Sequence, residues 1–270
     1  MNLSFEQLED LIELVNNVHG FDLHGYSRAS LKRRVSRIMD LYRMDFAAIK
    51  DNLTNTPGFF GQFLIEITVN VTEMFRDPHF YIALREEVLP YLATFPHIKI
   101  WSAGCSTGEE VYSLAILLKK QHLLDRAFIY GTDINSNVLE KAKQGIVDLR
   151  KMKTYSDNYL QTGSNDSLSE YYTARYDAAT IHHTLRKNML FSIHNLVSDG
   201  VFNEFQLITC RNVLIYFNTT LQEHVFNLLY ESLALFGFLC LGSKEALRSE
   251  QLQERFRLIN KKQNIYQKIA

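Results

Sequence analysis

The chain has 270 residues, 46% of them hydrophobic and 22% charged, with 12 glycines and only 4 prolines; this excludes disorder, collagen and low complexity, and leaves one large or two unequal packed domains. Lys and Arg number 29 against 30 Asp and Glu, a net charge of -1, so no global field draws a nucleic-acid polymer or an anionic membrane, and a charged partner must be met by a local patch. Cys105, Cys210 and Cys240 are too few and too scattered for a disulfide framework or a zinc site, which points to a reducing cytoplasm and no metal.

Residues 1 to about 75 are expected to be helical. Phe5, Leu8, Leu11, Ile12, Val15 and Val18 recur at three and four, and Ser4 with Gln7 makes a capping box. The same stretch carries acids where a secretory signal would need a basic start and an unbroken apolar run. A second helix, from about Arg28 to Met44, places Leu31, Val35, Ile38, Met39 and Tyr42 on one face. Its other face is basic: between Asp22 and Lys50 there are seven Lys and Arg (Arg28, Lys32, Arg33, Arg34, Arg37, Arg43 and Lys50) against three acids (Asp22, Asp40 and Asp45). Such a run is either a solvated face or a dock for an acidic partner surface, and the residues alone leave both open.

After Pro96 short buried runs alternate with helical ones. IKIWSA (98 to 103) and AFIYGTD (127 to 133) are each followed by a helix; NMLFSI (188 to 193), FQLITC (205 to 210), a helix around 219 to 236 and FGFLCLG (236 to 242) complete the series. This order predicts an α/β fold with a mostly parallel sheet covered on both faces. From about Asp148 to Lys187 the alternation breaks, with a polar loop at 162 to 167 and the β-prone run TIHHTL (180 to 185), and the segment reads as an insertion. Within that run His182 and His183 would point to opposite faces and could not share an ion. The longest apolar stretch, Leu233 to Leu241, is about half a bilayer-crossing helix, so no membrane insertion is expected.

The first strand ends in SAGCSTGEE, where Gly104 opens a turn of small residues that leads straight into a helix, so a ligand's polar groups can approach backbone N–H. The second strand ends at Asp133, placed either to accept hydrogen bonds from both hydroxyls of a ribose or to cap the helix starting near Asn135. Glu109 and Glu110 put negative charge at the helix start, which disfavours a pyrophosphate. A cofactor with a cationic amino acid portion would tolerate them, and S-adenosylmethionine combines an ammonium, a sulfonium and a ribose. ITCRNVLIYF brings Arg211, Asn212 and Tyr216 to the same carboxyl edge, although a capping amide and a buried aromatic are the plainer uses of the last two. The histidines lack metal-ligand spacing and there is no G-x-S-x-G elbow, which argues against metalloenzyme and hydrolase chemistry.

Five segments together, ITVNVTEMFRDPHFY (67 to 81), IWSAGCSTGEEVYSLAI (100 to 116), GTDINSNVLEKAKQGI (131 to 146), HNL (194 to 196) and CRNVLIYFN (210 to 218), resemble the CheR family of S-adenosylmethionine-dependent methyltransferases, in the family's order. The amino-terminal helices resemble the family's small helical domain in place and basic character. The resemblance implies a Rossmann-like class I methyltransferase sheet with helices on both faces over 76–270, preceded by an all-α domain with its linker over 1–75 and carrying the insertion at about 148–187.

It also implies methyl transfer from S-adenosylmethionine to glutamate carboxylates on the cytoplasmic helices of a chemoreceptor or other signalling protein, leaving S-adenosylhomocysteine. Asn70, Thr72 and Arg76 would line the cofactor site from the linker, with Arg76 close to the methyl group. Glu110 and Asp133 would hold the cofactor, Asn195, Leu196, Arg211 and Asn212 would complete the pocket, and Tyr216 would face the reacting carboxylate. Arg33, Arg34 and Arg37 would attract the acidic substrate helix. Two departures stand out. Family members commonly carry Gly-His-Ser-Glu after the last parallel strand, where this chain reads LGSKEAL (241 to 247), keeping Ser243 and Glu245 but with Gly242 directly before the serine and Lys244 between them. Some members also bind a receptor's terminal peptide on an inserted three-stranded sheet, to which the insertion has no clear sequence match. The competing readings are a methyltransferase fold that binds without turnover and a methyltransferase acting on RNA or a small molecule.

Overall fold

The computed structural model describes residues 3–68, 71–248 and 250–270. The chain divides into two compact units, Met1–Val69 with Leu214–Val225, and Asn70–Val213 with Phe226–Ala270.

The first unit is built on four helices, α1 (Phe5–His19), α2 (Arg28–Tyr42), α3 (Phe46–Asn55) and α4 (Phe59–Ile67). The expected capping box forms: Ser4 Oγ accepts from the Gln7 N–H at 3.0 Å while the Gln7 side chain accepts from the Ser4 N–H at 2.9 Å. Gly20 ends α1 in the left-handed conformation that a glycine adopts without strain. Leu8, Leu11, Ile12 and Val15 of α1 pack with Leu31, Val35 and Ile38 of α2 and with Phe63 of α4. Phe5 and Val18, expected on the buried face of α1, are instead 58% and 45% exposed, because they sit in its two terminal turns. The segment 214–225 is tied to this unit through backbone: the Ser27 N–H donates to the Tyr216 carbonyl at 2.8 Å, and the Asn218 N–H donates to the Gly25 carbonyl at 2.8 Å. A Cβ on Gly25 would meet Leu221 at 2.5 Å, so only glycine fits that approach.

The second unit holds a seven-stranded sheet. Its strands are β1 (Ile98–Ala103), β2 (Ala127–Asp133), β6 (Met189–Ile193), β7 (Phe205–Cys210), β8 (Leu233–Leu241), β9 (Phe256–Asn260) and β10 (Ile265–Lys268), in the order β6-β2-β1-β7-β8-β10-β9. The first five run parallel; β10 runs antiparallel to β8 and to β9. This is the Rossmann-like arrangement of class I methyltransferases, and the chain passes from β1 outward to β2 and later returns to add β7 on the other side, which creates a switch point at the carboxyl ends of β1 and β7. Both faces of the sheet are covered: neighbouring Ile100 and Trp101 point to opposite faces and each is 0% exposed. Trp101 packs edge-on against Phe202 and His194 and at a tilt against Phe205.

The structure differs from the sequence reading in several places, and the helical stretch expected to about 75 ends with α4 at Ile67. Strand β8 begins at Leu233 and the preceding helix, Thr219–Glu231, ends before it, rather than continuing to 236. The expected strand through 180 to 185 stops at Ile181 and gives way to a helical turn, His183–Arg186. The insertion does contain a three-stranded antiparallel sheet, of β3 (Ile146–Asp148), β4 (Tyr172–Arg175) and β5 (Ala178–Ile181), in the order β3-β5-β4, despite lacking a clear sequence match. No helix among the described residues is long and apolar enough to cross a membrane.

Candidate active site

Parallel register brings several chemistry-bearing residues of the second unit to one sheet edge. Ala103 pairs with Thr132, Asp133 with Ile193, and Cys210 with Leu241, so the turns after β1, β2, β6, β7 and β8 all emerge together. After β1 the chain turns at Gly104, whose φ of 74° and whose close approach to the Val213 side chain, which a Cβ would strike, both demand glycine. The Gly104 and Cys105 N–H groups both donate to the Thr132 carbonyl at 2.8 Å, which locks the turn against the end of β2.

Asp133 sits inside that turn, 9% exposed. Its Oδ2 accepts from the Ser106 N–H at 2.9 Å and its Oδ1 from the Asn135 N–H at 3.0 Å. Burial holds its carboxyl pKa above the ordinary value, and these backbone donors offset only part of that rise. The helix Ser136–Gln144 is capped by Asn135, whose Oδ1 accepts from Asn137 and Val138, so Asp133 is not the cap. Each Asp133 oxygen keeps a lone pair, the capacity needed to accept two vicinal hydroxyls.

The two acids at the start of the helix Glu109–Lys120 diverge. Glu109 is 3% exposed and turns into the core, accepting from Thr107 Oγ1 at 2.5 Å and from the Tyr155 hydroxyl at 3.4 Å, and burial pushes its pKa up. Glu110 faces the sheet edge. Its Oε1 accepts from Ser102 Oγ at 3.0 Å and Thr209 Oγ1 at 2.6 Å, while its Oε2 accepts from Arg211 Nη1 at 3.1 Å. Arg211 also reaches Asp77 at 2.8 Å and lies 4.0 Å over the Phe80 ring. Burial alone would push the guanidinium pKa down; Glu110, with Tyr81 and Asp77, holds it above its ordinary value. Arg211 thus ties the segment bearing Arg76 to the end of β7, across 134 residues of sequence.

Arg76 is half-buried, with Nη1 donating to the Val71 carbonyl at 3.2 Å. On either side, Phe75 and Asp77 adopt left-handed backbone with φ of 53° and 58°, as do Ser106 at 51° and Asn212 at 61°. Four such non-glycine residues around one edge are strain that the surrounding contacts must hold, and strain of this kind gathers at functional sites. The Phe75 N–H donates to Ser113 Oγ at 2.9 Å and Asn195 closes its own turn, accepting from the Val197 N–H at 3.0 Å. Leu196 is buried. His194, two residues before it, donates its N–H to the Asp133 carbonyl at 3.2 Å, which places the HNL segment against the end of β2.

Of the expected cofactor residues, Thr72, Arg76, Gly104, Glu110, Asp133, Asn195, Leu196, Arg211 and Asn212 belong to this unit, and Asn70 lies outside the described residues. Tyr216 belongs to the helical unit together with Arg33, Arg34 and Arg37. There Arg28 pairs with Glu9 at 2.5 Å and Lys50 with Asp10 at 2.6 Å, while burial and then Arg37 and Arg33 push the Arg34 guanidinium pKa down. The sequence reading noted Glu245 as the retained glutamate of the 241 to 247 loop but gave it no role in the site. It is 4% exposed, and its Oε2 accepts from the Asn212 N–H at 2.8 Å and the Gly242 N–H at 2.7 Å.

The donor set fits S-adenosylmethionine. Asp133 offers a buried acceptor pair for a ribose diol, and Glu110 keeps one lone pair of Oε2 for an ammonium. Arg211 Nε is buried without a partner among the described residues.

The pattern described as CheR methyltransferase, SAM binding domain, matches residues 70–265, and that of the CheR all-alpha domain matches 6–68. The chain is 46% identical to a Pseudomonas putida protein named "Putative methyltransferase Cher3", over 96% of this chain and 95% of that one. It is 31% identical to a chemotaxis protein methyltransferase of Listeria monocytogenes over 84% of this chain and 85% of the other. It is also 28% identical, over 97% of its length, to an uncharacterized 104.1 kDa protein of Rhodobacter capsulatus, of which it spans 27%.

Proposed function

Because the chain belongs to the CheR family of S-adenosylmethionine-dependent methyltransferases, we propose that it methylates glutamate side chains of a helical signalling protein, of which a chemoreceptor's cytoplasmic region is the leading case. The observation that carries this reading is the sheet edge where Asp133 and Glu110 present fixed acceptors beside the Arg211–Asp77 tie to Arg76. Relatives named as chemotaxis protein methyltransferases support the pathway.

S-adenosylmethionine supplies a methyl group on a sulfonium centre. The acceptor glutamate, with an ordinary pKa of about 4.3, is already ionised at neutral pH, so the chain needs no general base. Its residues have two tasks. Asp133 and Glu110 fix the donor through its ribose and ammonium, and orienting the carboxylate is the role the family resemblance gives to Arg76 and, separately, to Tyr216; alignment of this kind supplies on the order of 7 to 11 kcal/mol. A tight ion pair between Arg76 and the carboxylate would favour the ground state, so the neutral hydroxyl of Tyr216 is the better steering group.

The acceptor helix must be held by more than one side chain. In the helical unit Arg33, Arg34 and Arg37 remain clustered despite mutual repulsion, a field suited to an acid-rich helix. The test is incubation with labelled methyl donor and a receptor cytoplasmic fragment, followed by mild base. Label released as methanol supports the glutamyl ester; label resistant to base, or label found only on RNA or a small molecule, refutes it.

A further inference from the structure

We propose that Glu245 is a positioning residue for the methyl-donor pocket, acting through the backbone of Asn212; this rests on the reading above that Asn212 lines that pocket. One buried carboxylate oxygen receives two backbone donors from different strand ends, Asn212 after β7 at 2.8 Å and Gly242 after β8 at 2.7 Å. Asn212 is held there at a φ of 61°, a conformation that needs support from outside its own residue. Gly242 cannot be replaced without breaking the arrangement, since a Cβ would lie 2.6 Å from Glu245 Oε2 and 2.8 Å from the Asn212 nitrogen. On the far side, Asn264 Nδ2 donates to the Gly242 carbonyl at 2.9 Å and completes the clamp.

This geometry explains the altered loop. In Gly-Ser-Lys-Glu the glycine and the glutamate keep the three-residue separation they have in Gly-His-Ser-Glu, and those two residues make the clamp. Ser243 and Lys244, which differ, are exposed. A carboxylate bonded to two N–H groups is a charge-assisted pin, short and directional, and it fixes the angle at which the chain leaves β7.

The experiment measures S-adenosylhomocysteine affinity by calorimetry, amide exchange at Asn212 and Gly242, and steady-state kinetics for Glu245→Ala, Glu245→Gln and Asn212→Ala. Glu245→Ala should weaken binding about 10-fold or more, speed exchange at both amides, and raise KM for the methyl donor more than it lowers kcat. Glu245→Gln should recover most of the affinity, because its amide oxygen can still accept both N–H groups. Wild-type affinity in Glu245→Ala overturns the proposal whatever Asn212→Ala does. Weakened binding in Glu245→Ala beside normal binding in Asn212→Ala keeps the backbone pin and removes only the Asn212 side chain from the pocket. Should Glu245→Ala fail to fold, Glu245→Asp, shorter by one methylene, carries the same test: weakened binding supports the pin and unchanged binding overturns it.

Discussion

Replacing Arg211 with Met probes how the site is held. The side chain is 3% exposed and joins Glu110, 15% exposed, to Asp77, 40% exposed. Removing one partner of a buried pair costs about 3 to 5 kcal/mol, because the other charge is left uncompensated. Glu110 keeps hydroxyl donors from Ser102 and Thr209 on its other oxygen, which puts its share at the low end of that range. The more exposed contact to Asp77 adds about 0 to 1 kcal/mol. Arg211→Met should therefore destabilise the second unit by about 3 to 4 kcal/mol. Trp101, the one tryptophan of the chain, is fully buried in that unit, so its fluorescence in a urea titration reports this unit's unfolding. Adding Glu110→Gln to Arg211→Met removes the orphaned charge and should recover a large part of the loss. A single variant within about 1 kcal/mol of the parent, or a double variant no better than the single, would refute the account of the clamp.

Asp133→Ala should weaken S-adenosylhomocysteine binding by about 1.5 to 3 kcal/mol, the range for hydrogen bonds to a charged group, and unchanged calorimetric affinity would remove Asp133 from the ribose site. Reversing Arg33, Arg34 and Arg37 to Glu should raise KM for the protein substrate, most at low salt, and leave donor affinity unchanged; equal kinetics at low salt would leave α2 a structural role only. Asp166 supplies a pH test: burial opposes ionisation, but Lys120, Tyr171 and Tyr159 outweigh it and hold the carboxyl well below the ordinary range. A pKa lower in the folded state gives stability that is complete above the ordinary carboxyl pKa of about 3.9 and is lost as pH falls toward the folded value. Asp166→Asn should therefore show a flatter fall in stability on the acid side; an unchanged acid limb in urea titrations would show that the network carries no such linkage.

The central strands were legible because a strand buried on both faces leaves a short continuous apolar run between turns, and β1, β2 and β7 fall on the runs IKIWSA, AFIYGTD and FQLITC. The start of β8 was not, since Leu233 and Ala234 extend the apolar pattern of the helix before them and nothing local marks the break. The inserted sheet escaped for a similar reason: its strands are three or four residues long, and β4 is largely exposed, so no alternation develops. At the sheet edge, Gly104 and Asp133 were visible from turn chemistry and strand ends. The partners of Glu110 were not, because Arg211 and Thr209 come to it only through the register of β1 with β7. Glu245 was visible as the glutamate of the loop after β8, but its job was not, as that job is defined by an amide on another strand's end.

Fragment-ion mass spectrometry of the acceptor protein after turnover locates the transferred methyl group and so tests the central claim most directly. The account predicts a methyl ester on glutamate side chains of an acid-rich cytoplasmic helix, absent when those glutamates are changed to glutamine and absent without S-adenosylmethionine. A methyl group on lysine, arginine or the amino terminus, retained when every glutamate of the helix is replaced, would contradict it.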